Sequence, residues 1–507
     1  MITEDQTAAI EFLTSPATHA DAADAELIET HISRVFLVGQ RAFKMKRAVK
    51  LPYADFSTPA LRLAACEEEL ERNAQTAPGL YLAVRRLTSR NGGGLEFDGP
   101  GDLVDAVVEM RRFDQQALLD RMAVAENLTP GLMTEVARMV VRFHRDAPVA
   151  HTGSGLLNLT RVLDINLAGF RTSQVFDTVD VAALDRLARV ALARHGSLLE
   201  RRERAGKVRR CHGDLHLRNI CLLDGEPRLF DCIEFNDQIA TVDVLYDLAF
   251  LLMDLWHRGL PEFANLVANR YLDEADDEDG FVLLPTLMAI RAEVRAHVTA
   301  TQAAGGGDNA QRLVEDARSY FELARTLLAA VPARLVALGG LSGSGKTTVA
   351  EALAAHVGAP PGARIVESDR IRKALHGVPA ETPLPARAYR PEVSERVYAE
   401  MAWRASLILS EGACVVADAV FDRAADRQRM ERSAIGSRVP FSGFWLEASP
   451  ELLWQRVSDR RGGPSDATVD ILSRQLQRDG KETTWMKLDA ARTPAEIVAE
   501  ILRICRR

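Results

Sequence analysis

Leu335-Val336-Ala337-Leu338-Gly339-Gly340-Leu341-Ser342-Gly343-Ser344-Gly345-Lys346-Thr347-Thr348-Val349-Ala350 runs from a short apolar segment through a glycine-rich turn into residues of helical character. Gly340 to Thr347 fits the spacing GxxxxGK[ST], and a strand before it with a helix after it is the context that spacing requires. Glycines let backbone amides turn toward a phosphate chain, and the helix start adds a positive end. Gly340, Ser342, Gly343, Ser344, Gly345, Lys346, Thr347 and Thr348 are therefore the expected ATP-binding residues. Lys346 would reach the terminal phosphates and Thr347 would ligate Mg2+.

Val331-Pro332, just before this stretch, marks a boundary, after which apolar strands (335–338, 364–366, 414–417, 441–446) alternate with helical stretches. That alternation predicts a parallel sheet covered on both faces, an α/β domain over 332–507. Asp369, just past the second strand, would sit at the carboxyl edge of the sheet, where it could orient and deprotonate an acceptor hydroxyl. Asp418, ending the third strand, is placed to hold Mg2+ or its water shell. Arg456, Arg460 and Arg461 precede Gly462-Gly463-Pro464, so this stretch could fold over the nucleotide and neutralise the transferring phosphoryl group. Surface arginines on an amphipathic helix are the plainer alternative.

A second phosphate-handling set lies far upstream. His212-Gly213-Asp214-Leu215-His216-Leu217-Arg218-Asn219 is followed by Asp231 in Leu229-Phe230-Asp231-Cys232. In this pattern Asp214 would take the proton of an acceptor hydroxyl, while Asn219 and Asp231 coordinate Mg2+ on ATP. Before it, residues 35–38 and 41–46 read as a hairpin turning at Gly39-Gln40, and 59–76 as a helix. Strands are expected at 81–87 and 104–110, and helices over 114–204 and again over 241–330. The acidic run Asp273 to Asp279 lacks the glycine and terminal glutamate of a calcium loop and reads as a solvated loop.

The chain has 507 residues, 47% of them hydrophobic and 26% charged, enough for two to four domains with sizeable cores. A net charge of −8 offers no global field for nucleic acid or an anionic membrane, so neither is an expected partner. No secretory signal or apolar membrane span is seen, which makes a cytoplasmic protein the expectation. The six scattered cysteines read as reduced, mostly buried thiols.

Residues 334–507 resemble the small P-loop kinases grouped with gluconate kinase, chloramphenicol phosphotransferase and the zeta toxins. Residues 26–255, through HGDLHLRN and Asp231, resemble the aminoglycoside phosphotransferase family and its choline- and sugar-kinase relatives, which share the protein-kinase architecture. That resemblance implies a lysine on the third strand binding the α- and β-phosphates and pairing with a helix glutamate. Lys46 is the best match, with Lys44 on the same face two residues earlier; Glu69 is the partner, with Glu68 next. It also implies that Asp243 and Asp247 brace the catalytic loop. No GxGxxG precedes Lys46. Together the motifs resemble bacterial aminoglycoside phosphotransferase/ATP-binding fusions. The expected fold is an α+β protein-kinase-like domain over 1–331 (small lobe to about 112, helical large lobe from 113) joined to an α/β P-loop domain over 332–507. The expected activity is ATP-dependent phosphoryl transfer to a small hydroxyl-bearing molecule, sugar or aminoglycoside-like. The alternative is a nucleotide-binding regulator whose N-terminal domain is degenerate; a protein-phosphorylating enzyme fits less well, for want of an APE-like segment.

Overall fold

The apolar run Val35 to Val38, with Ala42, Phe43 and Met45 opposite it, folds Ser33–Val38 and Arg41–Lys46 into an antiparallel hairpin in which Val38 faces Arg41. Gly39 takes φ 52°, the left-handed value favoured at the first central position of a two-residue turn. Around this hairpin a six-stranded antiparallel sheet forms in the order Glu26–Glu29, Ser33–Val38, Arg41–Lys46, Leu103–Arg111, Tyr81–Ser89, Leu95–Phe97. Helix Pro59–Thr76 starts where Thr58 accepts a hydrogen bond from Leu61 N, with Pro59 fixing the first turn. Its Cys66 packs with Ala106, Val108 and Met110 of the sheet.

The computed structural model describes residues 3–19, 24–30, 32–51, 54–459, 465–477 and 483–506. Packing divides the chain into two compact units, Met1–Leu159 with Leu199–Leu251, and Thr160–Leu198 with Leu252–Arg507. This division cuts across the expected boundary at 331/332, because the helices after Leu252 group with the α/β part. Residues 208–210 and 241–243 form a two-stranded pair, so the helix expected from 241 begins at Val244. Among the described residues no helix is long and apolar enough to cross a membrane. All six cysteines are free thiols, and only Cys505 is not buried.

The second unit holds a five-stranded parallel sheet in the order Arg364–Glu367, Val415–Asp418, Leu335–Gly339, Phe441–Glu447, Met486–Asp489. The last strand was not foreseen from sequence. Strand 364–367 is an edge, and edge strands leave backbone groups unpaired. Helix Pro261–Ala275 covers them: Asn269 Oδ1 accepts from Ile365 N at 2.7 Å, and Asn265 Nδ2 donates to Ala363 O at 3.0 Å.

The same helix corrects the reading of the acidic run as a solvated loop. Asp273 belongs to helix 261–275, and Asp277 and Glu278 are buried. Glu278 receives two bonds from Arg364, at 2.9 and 2.6 Å, and one from Arg404 at 2.6 Å. Asp273 accepts from Arg364 at 2.6 Å. Only Glu274 and Asp276 of the run face solvent.

Asn166 of helix Gly155–Arg171 donates to Glu293 of helix Leu284–Ala304 at 3.2 Å, deep among the helices. Burial pushes the Glu293 carboxyl up from 4.5 to about 8. A carboxyl raised on folding contributes stability that is present below its unfolded value and lost as pH rises through its folded one. The second unit should therefore lose stability between about pH 4.5 and 8, at up to about 1.4 kcal/mol per pH unit. Glu293→Gln should flatten that decline. All five tryptophans (Trp256, Trp403, Trp445, Trp454, Trp485) lie in this unit, so urea unfolding followed by tryptophan fluorescence at several pH values reads it directly.

Candidate active sites

In the first unit the loop His212 to Asn219 is built on buried hydrogen bonds. Gly213 has φ 83°, a left-handed value that favours glycine, and a Cβ there would lie 2.9 Å from Ile233 Cδ1. Asp247 accepts from His212 N at 3.1 Å, Gly213 N at 2.8 Å and His144 Nε2 at 3.1 Å. Donor atoms of His144, Cys211 and Asp247 lie within 4.8 Å of one another, but the three N–H bonds to Asp247 make it a brace for the loop, not a cation ligand. Asp243 instead takes a two-bond pair with Arg202, at 2.7 and 2.9 Å, anchoring helix Gly196–Arg204. Of the two expected braces, Asp247 contacts the loop directly.

Asn219 Nδ2 donates to Asp214 O at 2.9 Å and Asp214 Oδ2 at 3.0 Å. Asp231 adopts φ 62°, a strained conformation for a non-glycine residue. Its N–H donates to Tyr81 Oη at 3.0 Å, and Cys232 N to Asn73 Oδ1 at 2.9 Å. Lys44 Nζ pairs with Glu69 Oε1 at 2.7 Å and with Asp231 Oδ1. Lys46 pairs with Glu69 Oε2 at 2.6 Å and with Glu234. Burial works to raise the Asp231 carboxyl, but Lys44 outweighs it and holds the group below its ordinary value, charged at neutral pH.

Glu69 thus pairs with both lysines, not with Lys46 alone. The lysine that reaches Asp231 is Lys44, not Lys46, which is fully buried. A two-residue turn closes the hairpin at Gly39, so no glycine-rich loop lies there.

In the second unit Gly340, Gly343 and Gly345 have φ 143°, 87° and 83°, which turns the loop into the helix Lys346–Ala354. A Cβ on Gly343 would lie 2.7 Å from Leu453 O. Thr347 Oγ1 donates to Asp418 Oδ2 at 2.6 Å, and Lys346 Nζ donates to Leu341 O at 3.0 Å. Ser344 Oγ is buried within the loop without a hydrogen-bond partner, and Thr348 is exposed on the helix. Burial pushes the Asp418 carboxyl up to about 6, with Lys346 and Thr347 pulling the other way. Asp369 stands two residues beyond Glu367, which pairs in register with Asp418 across the sheet. Arg456 Nη1 donates to Ala490 O at 2.9 Å and lies 4.0 Å from a Cβ position on Gly345. Arg460, Arg461 and the turn 462–464 lie outside the described residues.

Residues 30–281 match the model of the phosphotransferase enzyme family, and residues 335–479 match an AAA domain model. The chain is a phosphotransferase, a fusion of two kinase-type domains. An uncharacterised protein of Mycobacterium tuberculosis, Rv2004c, is 29% identical over 487 residues, spanning 94% of this chain and 95% of the relative. A choline/ethanolamine kinase family protein from Mesorhizobium loti is similar at 15% identity and TM-score 0.41, over 64% of this chain and 96% of that one. A gluconokinase from Sinorhizobium meliloti is similar at 27% identity and TM-score 0.24, over 34% and 92%.

The P-loop domain also uses a residue that the sequence did not single out. Gln475, on helix Val469–Gln477, accepts from Ser342 N at 3.0 Å, and Leu341 packs with Leu453, Val457 and Leu472. The amphipathic spacing of 469–477 signals a helix, but nothing in it announces a contact with a loop more than a hundred residues earlier.

Proposed function

We propose that the phosphotransferase domain moves the γ-phosphoryl of ATP to a hydroxyl of a small molecule, sugar- or aminoglycoside-like, and that the P-loop domain carries a second ATP-dependent transfer. The observation that carries this reading is the bonding of Asn219 to Asp214 beside a strained Asp231 that faces Lys44 and Glu69. Asn219 engages Asp214 through its amide nitrogen, which leaves Asn219 Oδ1 and the Asp231 carboxylate as hard oxygen donors of the kind Mg2+ prefers. When bound, Mg2+ would neutralise charge on the phosphates. Asp214, partly exposed, accepts the hydroxyl proton as the new O–P bond forms and the bond from the γ-phosphorus to the β–γ bridging oxygen breaks, releasing ADP. Lys44 is the lysine suited to the phosphates, because it is the one that touches Asp231 and keeps some exposure. In the P-loop domain, Thr347 and Asp418 supply oxygen donors, Lys346 charge, and Asp369 the corresponding base.

One observation favours the regulatory reading: the tightly closed hairpin at Gly39 offers no glycine-rich cover for a nucleotide. Retention of Asp214, Asn219 and Asp231 together speaks for transfer, since binding alone needs no base. ATP consumption measured against a panel of sugars, aminoglycosides and nucleosides separates the two. At least one acceptor should raise turnover, and Asp214→Asn should lower that turnover about 10²–10⁴-fold. Nucleotide binding with turnover indifferent to Asp214→Asn would leave only the regulator.

A further inference from the structure

Strand geometry puts Lys44 and Lys46 on one face, yet their surroundings differ. Lys46 is 0% exposed and Nζ lies between Glu69 Oε2, at 2.6 Å, and the Glu234 carboxylate. It also stands 5.6 Å from the centre of the Phe56 ring, which meets Phe235 edge-on at 6.1 Å. An ammonium walled in this way has no route to a phosphate, and burying it with two carboxylates is costly unless their placement matters.

What it holds is the segment carrying Asp231. Glu234 follows Asp231 by three residues, and a left-handed aspartate persists only when its surroundings over-determine it. Tyr81 fixes Asp231 N, Asn73 fixes Cys232 N, and His212 O accepts from Ile233 N at 2.9 Å. Lys46 closes this series with a buried charged contact at Glu234. Glu69 ties the lysines together, offering Oε1 to Lys44 and Oε2 to Lys46.

We propose that Lys46 is a positioning residue which, through Glu234, holds the Asp231 carboxylate ready for the divalent cation of the nucleotide complex, while Lys44 alone meets the phosphates. This rests on the reading of the N-terminal site as an ATP site.

The test is equilibrium binding of a fluorescent ATP analogue to the full chain carrying Lys346→Ala, with and without Mg2+. In that background Lys44→Met should weaken binding in both conditions. Lys46→Met and Glu234→Gln should leave Mg2+-free affinity unchanged and remove about 10–100-fold of the Mg2+-dependent gain, the range seen when a residue behind a metal ligand is lost. Lys46→Arg should restore part of it. Glu234→Gln keeps side-chain shape, so it decides the matter if Lys46→Met does not fold. Equal loss with and without Mg2+ in Glu234→Gln, or an undiminished Mg2+ gain, overturns the proposal. Failure of the Lys346→Ala parent itself to bind the analogue overturns the ATP-site reading first, and the role of Lys46 with it.

Discussion

Glu278→Ala is expected to destabilise the second unit by up to about 3–5 kcal/mol, the scale of removing one member of a buried ion pair, with Asp273 still left to Arg364. Arg364 is 2% exposed, and its guanidinium is shared among Glu278, Asp273 and Asn269. Glu278 also anchors Arg404, so its loss loosens two cations at once. The effect should appear as a lower urea midpoint in tryptophan fluorescence, while Glu278→Gln, which can still accept one bond, should cost less. An unchanged midpoint in Glu278→Ala would mean that this network does not hold strand 364–367 to helix 261–275. Replacing Arg364 and its carboxylates together by apolar residues of like volume could be nearly neutral, since the pair itself gains little over good packing.

Lys346→Ala is expected to lower turnover at the P-loop site about 10²–10³-fold, the scale of removing one preorganised group that stabilises transition-state charge. Lys346 sits at the first turn of the P-loop helix, beside the Thr347–Asp418 pair, so its substitution removes charge from the site without touching the sheet. Measured in an Asp214→Asn chain, where the other site is silenced, ATP turnover with a P-loop acceptor should fall by that factor while thermal unfolding stays in place. Turnover indifferent to Lys346→Ala would reduce the loop to a structural turn.

Both phosphate-handling motifs were legible because each is a local spacing with a fixed backbone consequence: glycines at left-handed φ before a helix, and Asp214 with Asn219 five residues on. The hairpin was legible from two extended segments meeting at Gly39-Gln40, and helix 59–76 from its charged helical stretch. Legibility ended where a partner lies far along the chain. Period-two alternation places Lys44 and Lys46 alike, and only the carboxylates of Asp231 and Glu234, nearly two hundred residues later, tell them apart. The acidic run looked solvated because charge is visible in sequence and Arg364 is not visibly its partner. The junction at 331/332 followed the onset of strands alternating with helices, whereas helix 261–275, within the stretch matching the phosphotransferase model, satisfies the edge of the P-loop sheet.

That one chain holds two independent nucleotide sites, as proposed, is tested most directly by nucleotide stoichiometry. Equilibrium titration of the full chain with a non-hydrolysable ATP analogue and Mg2+ should give two bound per chain, one lost in Lys44→Met and the other in Lys346→Ala. A single site, or one substitution that abolishes both, would contradict it.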